Sequence, residues 1–215
     1  MRSEDSKLTE FNFLSLGEIN KIQLLNRKDT KFVFNQGDLP EILDKIKSSY
    51  HILKINDEFR FTYKNTYFDT DDLLFYNQHH NEKRNRFKVR FRNYSATNDC
   101  YFEIKTKNNK YRTVKIRRKV LDGNEKLGEN EIQLISETIN LSPENLMPKL
   151  NVNFSRITLA CNNLNERLTI DTNLSVKNGV SSKIFDQLVI SEIKQSRYNP
   201  KSKFIQVLRE LKIPE

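Results

Sequence analysis

Three consecutive runs near the middle of the chain alternate with period two. Arg86, Lys88, Arg90 and Arg92 point to one side, and Phe87, Val89 and Phe91 to the other. In the next run Glu103, Lys105 and Lys107 oppose Phe102, Ile104 and Thr106; in the third, Lys115, Arg117 and Lys119 oppose Val114 and Ile116. Alternation built on aromatic and β-branched residues predicts strands with one apolar face. The breaks at 95–99 and 108–110 are rich in turn formers, so the strands are expected to pair as antiparallel hairpins. The expected product is a sheet with an apolar back and a cationic front.

The same reading extends outward. Ser15-Leu16-Gly17-Glu18 has capping-box spacing and predicts a short helix through Ile22 and Leu25. Residues 27–34 read as a first strand with Arg27, Asp29 and Lys31 on one face. Asp38, as N-cap, and Pro40 open a helix carrying Leu39, Ile42, Leu43 and Ile46. A long strand is expected over 59–69, capped at 70–72 into a short helix through Leu73, Leu74 and Tyr76. A hydrophilic turn over 77–85 then holds His79 and His80, read as solvated because no spaced ligand partners accompany them. Residues 129–139 have helical periodicity, and Ser142-Pro143-Glu144 starts another helix. Strands at 152–160 and 166–172, a short helix at 182–185, a strand at 188–194 and a helix from Lys203 complete the pattern. That makes about eight strands, mostly antiparallel, with helices around them. No Pro-, Gly- or Ser-rich linker divides them, which predicts one domain over 11–212 behind a flexible segment at 1–10.

Charge gives the cationic front its meaning. Twelve of the thirty-four residues from Arg86 to Lys119 are Lys or Arg, and the whole chain carries a net charge of +9 with a pI near 9.4. An ordinary solvated face mixes signs, because like charges directly opposite on paired strands are destabilising. This face has little acidic company beyond Glu103, so a multiply anionic partner is the natural counterion. Periodicity alone leaves open whether the face is an open surface or is closed around its ligand. Mean hydropathy is −0.72, yet fourteen Phe and eight Tyr supply a core. Cys100 and Cys161 lack CxxC spacing and read as free thiols of a reducing cytoplasm. No apolar run approaches the roughly 20 residues that span a bilayer.

An acid-x-Lys pattern recurs at Asp29-Thr30-Lys31, Glu103-Ile104-Lys105 and Glu192-Ile193-Lys194, placing carboxylate and ammonium on one face of each strand. Cations of this kind bind phosphate oxygens, and a few carboxylates hold the divalent metal that bridges them. In sequence order, RKDTKF at 27–32, YFDT at 67–70, KVRFR at 88–92, FEIK at 102–105, ERLTID at 166–171, SEIK at 191–194 and the SK at 202–203 resemble a VTC domain. This is the polyphosphate-polymerase branch of the triphosphate tunnel metalloenzymes, the CYTH-like superfamily. The resemblance spans about residues 11–210. It implies an α+β fold: an eight-stranded antiparallel β-barrel tunnel decorated by α-helices, with its cationic faces turned inward.

The resemblance also implies roles. Lys31, Arg90, Arg92, Lys105, Lys115, Arg167, Lys194 and Lys203 would bind phosphates, with Lys88, Lys107, Arg117 and Arg156 beside them. Arg90, Arg92 and Lys203 would serve the transferring phosphoryl group, and Glu192, joined by Glu103, would hold Mn²⁺ or Mg²⁺. The implied reaction passes the ATP γ-phosphate to a growing polyphosphate chain, which needs positioning and charge neutralisation more than a protein nucleophile. The superfamily commonly opens with E-x-E-x-K, whereas this chain has Arg27, Asp29 and Lys31; one carboxylate has become a cation. That departure favours the polymerase over a water-activating hydrolase. The expected partners are ATP, inorganic polyphosphate and a membrane protein acting in trans at the inner face of a membrane. The competing readings are a metal-dependent tripolyphosphatase or nucleoside triphosphatase, and a non-catalytic binder of polyphosphate or nucleic acid. Phe87 and Phe91 lie opposite the cations, which counts against base stacking and against specific nucleic-acid binding.

Overall fold

Alternation in sequence becomes alternation in burial. In the computed structural model, which describes residues 2–22, 27–108, 113–121, 126–163 and 165–215, Thr30, Phe32 and Phe34 are buried while Asp29, Lys31 and Val33 are exposed. The elements in chain order are α1 (Arg2–Leu8), β1 (Asn12–Leu14), α2 (Leu16–Asn20), β2 (Lys28–Asn35), α3 (Leu39–Ile46), β3 (Tyr50–Leu53), β4 (Arg60–Asp69), α4 (Leu74–His80), β5 (Arg86–Tyr94), β6 (Asp99–Lys107), β7 (Thr113–Val120), α5 (Glu129–Thr138), β8 (Met147–Cys161), β9 (Glu166–Lys177), β10 (Ser182–Phe185), β11 (Leu188–Gln195) and α6 (Lys203–Glu210). They gather into two units. Unit 1 comprises Met1–Thr62, Phe154–Leu174 and Ile184–Glu215; unit 2 comprises Tyr63–Asn153 and Ser175–Lys183.

In unit 1, β2 pairs antiparallel with β11, and β11 with β9. The apolar backs of these strands meet α3 and α6 in a core that includes Phe32, Ile42, Leu43, Ile170, Ile193, Phe204 and Leu208. Phe32 and Phe204 cross edge to face at 5.9 Å. Phe11 joins that core, as does Leu8 of α1, which lies in the segment 1–10 expected to be flexible. In unit 2, β4, β5, β6 and β7 pair in succession as the hairpin reading predicts. Phe68, Val89, Phe91, Phe102 and Ile104 form their apolar back and are joined by Leu134 and Ile135 of α5.

Several expectations need correction. The strand pairing runs β2-β11-β9-β8-β4-β5-β6-β7 and ends at β2 and β7, so the described strands do not close into an eight-stranded barrel. At the β7 end, Arg117-Arg118-Lys119 breaks the alternation, and most of the strand is exposed on both faces. Ser182–Phe185 is a strand paired to β9, since four residues cannot repay helix nucleation. Ser142-Pro143-Glu144 yields only a 3₁₀ turn at Pro143–Asn145. The short strands β1 and β3, paired in parallel, were not foreseen.

Caps explain the remaining differences. Ser15 and Glu18 form the expected reciprocal box, with Glu18 Oε2 accepting from Ser15 N at 2.8 Å. Leu25 lies outside the described residues. Asp38 makes no side-chain cap; Asn35 instead accepts from Gly37 N at 2.9 Å and opens a 3₁₀ turn ahead of α3. α4 takes in His79 and His80, expected on a turn, because its first turn is held by Asp69 and Thr70. The buried Asp69 carboxylate accepts from the amides of Thr70 (2.8 Å), Phe75 (2.8 Å) and Tyr76 (2.9 Å).

Asp69→Ala therefore strands three amides and is expected to cost about 1–3 kcal/mol of stability. Urea unfolding checks this; a variant as stable as the parent would remove Asp69 as the anchor of α4.

Candidate functional site: two phosphate-binding faces

Register brings the cations of unit 2 into rows. Arg90, Glu103 and Arg117 stand directly opposite one another across β5, β6 and β7, and Lys88, Lys105 and Lys115 form the neighbouring row. Three ammonium groups thus stand side by side on paired strands, and Lys115 of this row reaches across to Glu103 of the first. The first row is organised by Glu103, which is 2% exposed. Arg90 donates to its Oε2 through Nε at 2.8 Å and Nη2 at 2.6 Å, and Lys115 Nζ lies 2.6 Å from Oε1. Arg117 Nε stands 3.6 Å from that same Oε1, its guanidinium 3.5 Å above the Tyr101 ring. Burial pushes the Glu103 carboxyl up, but Arg90 and Lys115 outweigh it and hold the group at about 2. Burial in turn pushes the Lys115 ammonium down, against the pull of Glu103.

The acid-x-Lys spacing gives Glu103 a shared face with Lys105 but does not reveal its ion-pair partners. Residues two apart on a strand lie nearly 7 Å apart along it, whereas directly opposed residues come within about 5.5 Å. Glu103 accordingly pairs with Arg90 and Lys115 on adjacent strands. Arg92 donates to Asn65 Oδ1 at 2.7 Å, and Asn65 Nδ2 donates to Val152 O at 2.8 Å. Arg90 Nη1 also donates to the Tyr67 hydroxyl at 2.8 Å. Arg90 and Arg92 are thus half-buried and pre-aimed, while Lys88, Lys105, Lys115 and Arg117 are exposed. Lys107, opposite Arg86, is half-buried at the end of β6.

Unit 1 presents a checkerboard instead. Glu192 stands opposite Lys31 on one side and Thr169 on the other; Lys194 stands between Asp29 and Arg167. Lys194 pairs with Glu192 along its own strand and lies 3.5 Å from Asp29, which also accepts from Arg27 at 3.0 Å. Burial raises the Glu192 carboxyl, and Lys194, Lys31 and Arg156 together bring it below its ordinary range. Arg156 grips Asp171 through Nε and Nη2, each at 2.6 Å. Lys203 is the first residue of α6, capped by Ser202, whose hydroxyl accepts from Ile205 N.

A buried network supports that helix start. Glu166, 3% exposed, accepts from Tyr50, from Ser202 Oγ at 3.0 Å and from Gln195 Nε2 at 2.5 Å. Its neighbours in sequence and in contact, Arg167 and Ser202, therefore sit on a fixed frame. Tyr50, Gln195, Asp171, Tyr67, Asn65 and Tyr101 escaped the sequence reading as site supports. Tyr67 and Asp171 fall within the quoted YFDT and ERLTID motifs, but period two gives each only a face of its own strand, not its partner on the next, Arg90 or Arg156.

Among the described residues no cluster of three or more His, Cys, Asp or Glu side chains forms a protein-only metal centre. Magnesium and similar ions are often held by one or two carboxylates together with substrate phosphates. Glu192, half-buried with lysine and arginine around it, fits that pattern. Glu103 has both oxygens turned to cations, the setting of a charge partner.

Residues 26–215 match the VTC domain, and the chain belongs to that family. The chain matches no curated protein. A solved structure from Hippeastrum, a candidate adenylyl cyclase with a dominant triphosphatase activity, shares the fold at 15% identity and a TM-score of 0.54, covering 86% of this chain and 88% of that one. A candidate adenylate cyclase of Vibrio parahaemolyticus (9% identity, TM-score 0.48, 86% of each chain) and a Pyrococcus horikoshii protein (12%, 0.43, 86% of each) are more distant in shape. The antiparallel α+β architecture is that of the Hippeastrum structure. No helix among the described residues is long and apolar enough to cross a membrane, and neither cysteine is in a disulfide.

Glu103 yields a pH prediction. Its folded value of about 2 lies below the ordinary 4.5, so the folded state favours the ionised form. The resulting stability is complete above 4.5 and is lost as pH falls through 2, in total about 3 kcal/mol. Urea titrations should show parent and Glu103→Gln well separated at pH 7 and converging towards pH 2. Parallel curves across that window would remove the carboxylate from the lattice.

Proposed function

We propose that residues 11–212 act as an ATP-dependent polyphosphate polymerase. The observation that carries this reading is the in-register row Lys88–Lys105–Lys115 beside Arg90–Glu103–Arg117, a cation excess repeating along the strands as charge repeats along a phosphate chain. In the reaction, a terminal oxygen of the chain attacks the γ-phosphorus of ATP. The new P–O bond forms as the bond to the β-phosphate oxygen breaks, and ADP leaves. Arg90 and Arg92, already oriented by Glu103, Tyr67 and Asn65, present donors to the transferring group with Lys203. Lys31, Lys88, Lys105, Lys107, Lys115, Arg117, Arg156, Arg167 and Lys194 neutralise the chain. Glu192 would hold Mn²⁺ or Mg²⁺, which when bound screens the phosphate oxygens. Glu103 serves chiefly to hold Arg90 and Lys115.

Arg27, paired with Asp29, stands where a hydrolase of this superfamily would place a second carboxylate, which favours transfer over hydrolysis. The membrane-protein partner in trans belongs to this proposal as well.

Purified protein with ATP and Mn²⁺ or Mg²⁺ should yield ADP and long polyphosphate, resolved on a gel. Equal ADP and free phosphate without polymer would establish a triphosphatase; no turnover with tight polyphosphate binding would establish a binder. Lys105→Ala, an exposed position, is expected to weaken polyphosphate binding roughly 10–100-fold at unchanged melting temperature. Glu192→Gln should lose metal-dependent turnover while still binding polyphosphate. Full turnover by that variant would exclude Glu192 from the reaction.

A further inference from the structure

Unit 2 contains a cavity of about 470 Å³ whose wall includes Tyr67, Tyr76, His79, Phe87, Lys88 and Lys149. Its volume lies in the range of small-molecule sites. The wall is ring-rich: Phe75 and Phe87 pack at 5.7 Å, and Tyr76 stacks on His80 at 5.8 Å with the rings 11° apart. Lys88 Nζ lies 3.4 Å from His79 Nε2, and Lys149 is paired to Asp71 at 2.6 Å. The Asp69 carboxylate is occupied by the amides of α4. Two residues belong to this wall and to the cationic face at once. Lys88 begins the row continued by Lys105 and Lys115, and the hydroxyl of Tyr67 accepts from Arg90.

An apolar aromatic pocket joined through a lysine to a phosphate-binding row has the form of a nucleotide, a flat ring at one end and a polyanion at the other. We infer that this pocket seats the heterocyclic base of the phosphoryl donor, with Tyr76 as its stacking surface and Lys88 taking the first phosphates. The inference rests on the phosphate-binding reading above. Inorganic polyphosphate has no apolar part to gain from this wall, whereas a base gains stacking on Tyr76 and burial against Phe87. Arg90, next but one to Lys88 on the same face, is about 7 Å further along β5 and receives the following phosphates. The pocket therefore distinguishes a nucleotide from the inorganic polyphosphate chain.

Tyr76 is 57% exposed, so Tyr76→Ala should leave the fold intact. Calorimetric titration with ATP and with inorganic tripolyphosphate, on parent and variant, tests the assignment. The expected result is about a tenfold loss of ATP affinity with tripolyphosphate affinity unchanged. Equal losses for both ligands, or no loss for either, would overturn the base pocket while leaving the phosphate faces standing. A parent protein that binds neither ligand overturns the phosphate reading, and the pocket with it. Tyr76→Phe should restore ATP binding, because stacking needs the ring and not the hydroxyl; failure of that rescue also counts against the assignment.

Discussion

Glu103, almost wholly withdrawn from water, lies within hydrogen-bond or ion-pair distance of Arg90, Lys115 and Arg117 on the strands to either side. A buried carboxylate is tolerable only when its oxygens are engaged, and these cations can crowd together only because it is there. The cost of desolvating the group is recovered through the same contacts that hold its pKa low. The functional consequence is order: Arg90 reaches its position with Glu103 and Tyr67 already bound, so little side-chain entropy remains to be lost when a phosphate arrives. The apolar back of β5 and β6, with Phe91 and Phe102 packed at 5.1 Å, fixes the register that makes the pairing possible.

The central hairpins, the first strand, the capping box at Ser15 and the last helix were legible because each rests on a local rule: period two, period 3.6 or a cap. The cationic face was legible for the same reason. What the sequence withheld depends on partners distant in the chain. Glu103 could be placed on one face with Lys105, but its ion pairs with Arg90 and Lys115 could not be read, since spacing along one strand is visible and cross-strand register is not. Asp69 serves α4 through amides six and seven residues ahead, whereas cap rules look to the residues immediately before a helix. The Glu166 network joins β3, β9, β11 and the start of α6, four segments that no window of sequence contains. Barrel closure came from resemblance alone, and the described strand pairing leaves β2 and β7 as its ends.

The two faces differ in a way that bears on their division of labour. In unit 1 each cation row meets an acid: Lys31 faces Glu192, Lys194 faces Asp29, and Arg156 is clasped by Asp171. On such a surface, binding a phosphate means trading an existing ion pair for a new one. In unit 2 the row Lys88–Lys105–Lys115 contains no acid of its own, and Glu103 of the neighbouring row is shared among Arg90, Lys115 and Arg117. Unbalanced positive charge is therefore concentrated on β5, β6 and β7. In unit 1 the half-buried carboxylate of Glu192 is instead held by Lys194 along its own strand, with Lys31 opposite. A polymerase of the kind proposed would need both kinds of surface, one with excess positive charge to grip a long anion and one of exchangeable ion pairs to let it move.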